Sequence, residues 1–281
     1  TTPPAPTMGE YTTPGPSITE YDQYGGWKNL AGTATGWFHT QQINGKWWLV
    51  TPSGNVFWIM GIMAVTYEWS SQTTYKAAIQ SKYPSDTKNS FRTAEHDRMK
   101  GWFCNSINWC PYTWVGASTS QKMPYTVNFD SRFQPPALNS LSSFPNVFSP
   151  TWKTNVESHI ASSISAFNSA NDPYCIGYET MDEPPYYGSK YRYLSIVDDF
   201  LNQPNTDPAK QSFRDFIAGR YTGGVGTLNT AWGTSYANFD DLKSITNLME
   251  DDAYPARETD KSAFLEEIAT KMSRIPHDAI K

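Results

Sequence analysis

The segment Val56-Phe57-Trp58-Ile59-Met60-Gly61-Ile62 is apolar throughout instead of at every second position. A strand with one wet face alternates; a strand covered on both faces does not, and continuous runs mark parallel sheets sandwiched by helices. Three further strand-like runs follow: Cys104 to Cys110, ended by Pro111; Met123 to Asp130; and Tyr174 to Tyr178. Helical stretches fall between them. Arg92 to Lys100 is one, and Trp152 to Asn168, with Val156, Ile160, Ile164 and Phe167 at helical spacing, is another. Strand and helix in alternation predict βαβ units and an α/β fold of the (β/α)8 TIM-barrel type.

Ahead of the first run, Gly36 to Val50 reads as a β-hairpin. Its Asn44-Gly45 pair supplies two positions that tolerate positive φ, the strongest short turn signal. Residues 1–20 read as a Thr/Pro-rich tail or linker, and 21–281 as the barrel domain. Beyond the fourth strand the pattern is helical: Pro208 to Tyr221, Leu228 to Trp232 and Thr259 to Ile275. An eightfold barrel takes about 250 residues. About 225 follow Val56, and the last hundred hold no buried strand. The expectation is the N-terminal half: a hairpin region and about the first four βα units, with the missing C-terminal half of the barrel as a candidate partner.

Composition narrows the function. Charged residues are only 17% of the chain and the net charge is −5, with no concentrated basic face. Nucleic acid is excluded as a partner on that ground. No apolar run approaches membrane-spanning length, so no membrane partner is expected either. By contrast, 11 Trp, 17 Tyr and 14 Phe make up 15% of the residues. Most must pack the core, but flat sugar faces stack on aromatic rings, and sugar hydroxyls need amide and carboxylate partners. Cys104, Cys110 and Cys175 form no disulfide framework and read as small buried hydrophobes. His39 and His96 have no neighbours at metal-ligand spacing, and no phosphate loop or serine-nucleophile signature occurs; no metal and no cofactor are expected. The Thr/Pro-rich start suggests a secreted, extracellular protein.

The chemistry-bearing stretch is Ile176-Gly177-Tyr178-Glu179-Thr180-Met181-Asp182-Glu183-Pro184-Pro185. An apolar strand leads to an acidic pair, and two prolines then forbid its continuation. Barrel enzymes place catalytic groups at the C-terminal ends of strands, which singles out Glu183. Glycoside hydrolysis needs one carboxylic acid to protonate the leaving oxygen and a second carboxylate across the anomeric carbon. Asn108 and Trp109, ending the second strand, face the same predicted mouth, and Tyr178, Tyr186 and Tyr187 flank Glu183 as candidate sugar-stacking rings. A solvated Asp-Glu pair in a polar loop is the competing reading of Asp182 and Glu183.

Several segments in order resemble one group. Tyr24 to Trp27, the hairpin Gly36 to Asn55 and the strand after it are similar to the entry of the agarase-like glycoside hydrolases, family 50 and its relatives in the clan of retaining barrels. Arg92 to Trp109 resembles that group's helix and second strand, Asp172 to Tyr178 with Glu183 its fourth strand and acid/base, and Gly226 to Thr234 the stretch that follows. The resemblance implies a retaining hydrolase of a β-linked galactan such as agarose, with a polysaccharide or oligosaccharide substrate and Glu183 as acid/base. A β-galactoside, β-mannan or β-glucan substrate, or an inactive carbohydrate-binding barrel, are the alternatives. Two departures stand out. The clan carries Asn before the acid/base, to contact a sugar hydroxyl, where this chain has Asp182. Its nucleophile ends the seventh strand, which this chain does not reach; Glu250, Asp251 and Asp252 have no apolar strand ahead of them and read as a solvated face, and Glu250 and Glu258 become candidates only if eight strands close within the chain.

Overall fold

The structure is a computed structural model describing residues 18–67, 73–130, 134–138, 144–189, 194–248 and 251–281. The Thr/Pro-rich start and Glu250 lie outside the described residues. The chain forms two compact units, one from residues up to Asn128 together with Ile164–Glu179, the other from Phe129–Ser163 and Thr180–Lys281.

The first unit opens with an antiparallel sheet of β1 (Trp27–Ala31), β2 (His39–Ile43), β3 (Lys46–Val50) and β4 (Asn55–Phe57), in the order β1-β4-β3-β2. The hairpin forms as predicted, with Ile43 opposite Lys46 and His39 opposite Val50. Asn44 and Gly45 take φ of 53° and 75°, the left-handed pair that the turn requires. Asp22 fastens the sheet: its carboxylate accepts from Gly26 N (2.8 Å), Thr51 Oγ1 (2.6 Å) and Asn55 Nδ2 (2.8 Å).

The second sheet of this unit is parallel and runs β5 (Gly61–Met63), β6 (Ser106–Asn108), β7 (Tyr125–Asn128), β8 (Cys175–Glu179) in chain order. Four strands of (β/α)-barrel type are therefore present, with β5 and β8 as open edges and no closed barrel among the described residues. The helices α1 (Thr73–Lys82) and α2 (Thr87–Gly101) connect β5 to β6, and α3 (Pro150–Phe167) connects β7 to β8. Between β6 and β7 only short 3-10 turns occur.

The run Val56 to Ile62 is not one doubly covered strand. It is divided: β4 ends at Phe57 in the antiparallel sheet, and β5 begins at Gly61 in the parallel one. Val56 and Phe57 are buried, whereas Trp58, Ile59, Met60 and Met63 are exposed. Hydrophobicity alone could not show this, because β5 is an edge strand and the crossing between sheets is held by a side chain. Asn105 Oδ1 accepts from Met60 N, and its Nδ2 donates to Trp58 O, both at 2.8 Å.

The second unit is helical, with α4 (Ser195–Leu201), α5 (Pro208–Arg220), α6 (Val225–Trp232) and α7 (Ala256–Ile280). On α7, Asp260, Phe264, Ile268, Met272 and Pro276 are buried, a stripe at four-residue spacing. Phe264 is the hub, with Phe148 stacked at 5.4 Å and Phe213 edge-on at 5.0 Å.

Candidate active site

In the parallel sheet, paired residues point their side chains to the same face. Ile107 pairs with Tyr125, and both line a cavity of about 330 Å³ on the helix side, with Trp114 and Phe167. The next residues along each strand face the other way. A Cβ on Gly61 would meet Ser106 Oγ and Asn108 Nδ2, within 2.8 Å, so these three share the inner face. Thr126 and Asn128 pair with Gly177 and Glu179, and Thr126 Oγ1 donates to Glu179 Oε1. The inner face is thus polar: Ser106, Asn108, Thr126, Asn128 and Glu179. Sequence reasoning passed over Ser106, Thr126, Asn128 and Glu179. Their signal was present as the alternations Ser-Ile-Asn and Thr-Val-Asn.

The backbone is strained where these strands end. Ala64, Trp109, Asp130 and Glu183 follow β5, β6, β7 and β8 by one to four residues, and all are non-glycine residues at positive φ: 54°, 51°, 31° and 45°. Such conformations are uncommon outside glycine and cluster at functional sites. Trp109 is held in place by its own amide, which donates to Thr126 Oγ1 (2.9 Å) and Glu179 Oε1 (3.3 Å). The loop after it is braced by buried Arg92, whose guanidinium donates to the carbonyls of Thr113 (2.7 Å) and Val115. Trp114 Nε1 in turn donates to Val65 O at 2.6 Å, joining the loops that follow β6 and β5.

The predicted site residues divide between the two units. Asn108, Trp109 and Tyr178 belong to the first; Asp182, Glu183, Tyr186 and Tyr187 belong to the second. Asn108 is partly buried on the inner face, with its Oδ1 buried and unpartnered among the described residues, as is Trp109 Nε1. Tyr178 shares the face of buried Val127; its hydroxyl lies 3.2 Å from Ser169 Oγ, and burial raises its pKa. Asp182 and Glu183 are exposed. The turn after them is firm. Pro184 O accepts from Tyr186 N (2.8 Å), Pro185 O from Gly188 N (3.0 Å), and Asp199 takes the amide of Ser189 (2.7 Å). Tyr186 packs on Phe144 at 5.5 Å, burial raising its phenol pKa, while Tyr187 is exposed.

The remaining expectations can be placed. Asp251 and Asp252 lie in the turn before α7, and Glu258 is exposed in its first helical turn. All three cysteines are free; burial pushes the Cys110 thiol up and Cys175 to about 11, which leaves both protonated and poorly nucleophilic. No cluster of three metal-ligating side chains occurs among the described residues, and no helix there is long and apolar enough to cross a membrane.

No protein-family model matches the chain. Its sequence is 26% identical to Beta-agarase A of Vibrio sp. (strain JT0107), over 71% of this chain and 26% of that protein. The chain is agarase-like. Three solved structures share its fold: the agarase AgWH50C (TM-score 0.76, 19% identity), PfGH50B (0.77, 22%) and an exo-beta-agarase (0.76, 18%). The matches cover 93–94% of this chain and 46–47% of those structures. The chain therefore spans about a quarter of the length of the curated relative and about half of the solved ones. At these identities the structures bear on fold alone.

Proposed function

We propose that this chain is part of a retaining glycoside hydrolase acting on an agarose-like β-linked galactan, with Glu183 as general acid/base. The observation that carries the reading is the conformation of Glu183: a strained residue just past the fourth parallel strand, fixed by the prolines that follow, in an agarase-like chain. In the first step Glu183 gives its proton to the glycosidic oxygen as the C–O bond breaks and a second carboxylate bonds to the anomeric carbon. In the second step a water adds at that carbon, its proton passing to Glu183, and the covalent bond to the nucleophile breaks. No residue of this chain is assigned as the nucleophile. Asp182 can accept a hydroxyl hydrogen bond where an asparagine could also donate one. Tyr187, exposed beside the turn, is the ring best placed in the sequence to stack on a sugar, with Asn108 and Trp109 contributing from the second strand. A polymeric galactan lies outside cells, and a secreted protein fits it.

The replacement of Asn by Asp182 also favours a second reading, sugar binding without turnover. A reducing-sugar assay on agarose, porphyran, β-galactan and β-mannan, using the full natural polypeptide, separates the two. In an active enzyme, Glu183→Gln lowers the rate on a poor leaving group by roughly two to four orders of magnitude. It spares the glycosylation of an activated aryl glycoside, whose leaving group departs unaided, and azide restores part of the turnover. Equal loss on both substrates, or on neither, overturns the assignment of Glu183.

A further inference from the structure

The inner face of the parallel sheet gathers three buried polar atoms that find no hydrogen-bond partner among the described residues: Ser106 Oγ, Asn108 Oδ1 and Asn128 Nδ2. A buried polar atom without a partner is destabilising, and three of them fall together on one face of one small sheet. Glu179 stands at the end of this face. Its Oε1 accepts from the Thr126 hydroxyl and the Trp109 amide, which fix the carboxylate, while no hydrogen bond is made by Oε2 among the described residues. Beside it the face is open: a Cβ on Gly177, directly preceding Glu179 on this face, would touch nothing within 4 Å.

We infer that this face binds a neutral polyhydroxylated ligand, a sugar ring of the substrate, with Glu179 as its anchoring acceptor. The donor set selects the class. A cation is disfavoured by the Asn128 amide N–H beside a single carboxylate, and an anion is disfavoured by that carboxylate. A sugar hydroxyl satisfies both kinds of group at once, donating to Glu179 Oε2 or Asn108 Oδ1 and accepting from Asn128 Nδ2. The open volume over Gly177 gives the ring its place. This deepens the functional reading above and rests on it for the ligand class, but it concerns binding, whereas Glu183 concerns bond cleavage.

The test is calorimetric titration of agaro-, manno- and cello-oligosaccharides into the full natural polypeptide carrying Glu183→Gln, with and without second substitutions. Glu179→Ala weakens binding of whichever oligosaccharide the parent takes by roughly 10- to 100-fold, the scale of a lost hydrogen bond to a charged group. Because Glu179→Ala also takes the acceptor from the Thr126 hydroxyl and one of two acceptors from the Trp109 amide, and so loosens the fold, two other variants decide the matter. Asn128→Leu removes an orphan donor at nearly constant shape, so affinity falls about tenfold while the melting temperature holds or rises. Gly177→Val fills the open volume and abolishes binding with the fold intact. Asn128→Leu and Gly177→Val variants that bind like the parent, or that lose stability in step with affinity, overturn the inference by making this face ordinary core. A parent that binds no oligosaccharide defeats the carbohydrate reading itself. Binding of a mannan or glucan oligomer that still depends on Glu179 overturns only the agarose assignment.

Discussion

The buried charges of the helical unit and the inner face of the parallel sheet treat polar groups in opposite ways. In the helical unit the buried charges are held by partners. Lys261 Nζ lies 3.0 Å from Asp198 Oδ1 and donates to Leu248 O at 2.9 Å. Asp260 accepts from Arg220 Nε (2.7 Å), Tyr221 Oη (2.6 Å) and Trp232 Nε1 (2.8 Å). Lys210 Nζ donates to the carbonyls of Lys243 (2.8 Å) and Ile245. On the inner face of the parallel sheet, by contrast, Ser106, Asn108 and Asn128 keep buried atoms unpaired. A polar group whose needs are met inside the protein serves the fold; on the reading proposed above, the groups left unmet on this face serve the ligand.

That contrast breaks first at Lys261. Lys261→Met removes the ammonium 3.0 Å from the buried Asp198 carboxylate, and the expected loss is about 3–5 kcal/mol in chemical denaturation. The double variant with Asp198→Leu should recover most of it, since an apolar pair of similar volume carries no desolvation penalty. If the single substitution costs under 1 kcal/mol, the helical unit is not locked by this pair.

Two glycines of the inner face sharpen the comparison at a smaller scale. A Cβ on Gly61 would come within 2.7 Å of Ser106 O, so Gly61→Ala forces backbone apart and costs about 1–3 kcal/mol. Gly177→Ala meets no atom and gains up to about 1 kcal/mol by restricting the unfolded chain. Thermal melts of the two variants check this, and matching melting temperatures contradict the account of one end packed and the other open.

The smallest effect is a pH dependence. The Tyr221 phenol is pushed up to about 12, by burial first and then by its hydrogen bond to Asp260. A group whose folded pKa exceeds its unfolded value of about 10 contributes stability that is full below pH 10. That contribution is lost as pH rises from about 10 to about 12. Tyr221→Phe should flatten the fall in melting temperature across this window, and an unchanged slope removes Tyr221 from the linkage.

Much of this was legible in the chain. Asn44-Gly45 marked the hairpin because its positive φ pair is a local demand. The strands β6, β7 and β8 and the helices α3, α5 and α7 announced themselves through apolar spacing. What escaped notice lacked that signal. The helix α1 buries none of its residues and β1 is almost wholly exposed, so neither carries an amphipathic pattern. The run from Val56 reads as one strand because hydropathy cannot show where a chain changes sheets. Glu179 was overshadowed by Glu183, which two prolines mark as a boundary. A carboxylate still inside its strand gains meaning only when register sets it beside Thr126 and Asn128.

On the proposed reading, Glu179 at the end of β8 and Glu183 four residues beyond it do different work, Glu183 chemistry and Glu179 holding. Steady-state kinetics of Glu183→Gln and Glu179→Gln in the full natural polypeptide test it most directly, on an agaro-oligosaccharide and on an activated aryl glycoside. For Glu183→Gln the account predicts a fall in kcat on the oligosaccharide of roughly two to four orders of magnitude, with KM not raised. For Glu179→Gln it predicts a KM raised about tenfold or more on the oligosaccharide, with kcat changed much less and no dependence on the leaving group's acidity. A Glu179 variant whose defect tracks leaving-group acidity, beside a Glu183 variant whose defect does not, would contradict it.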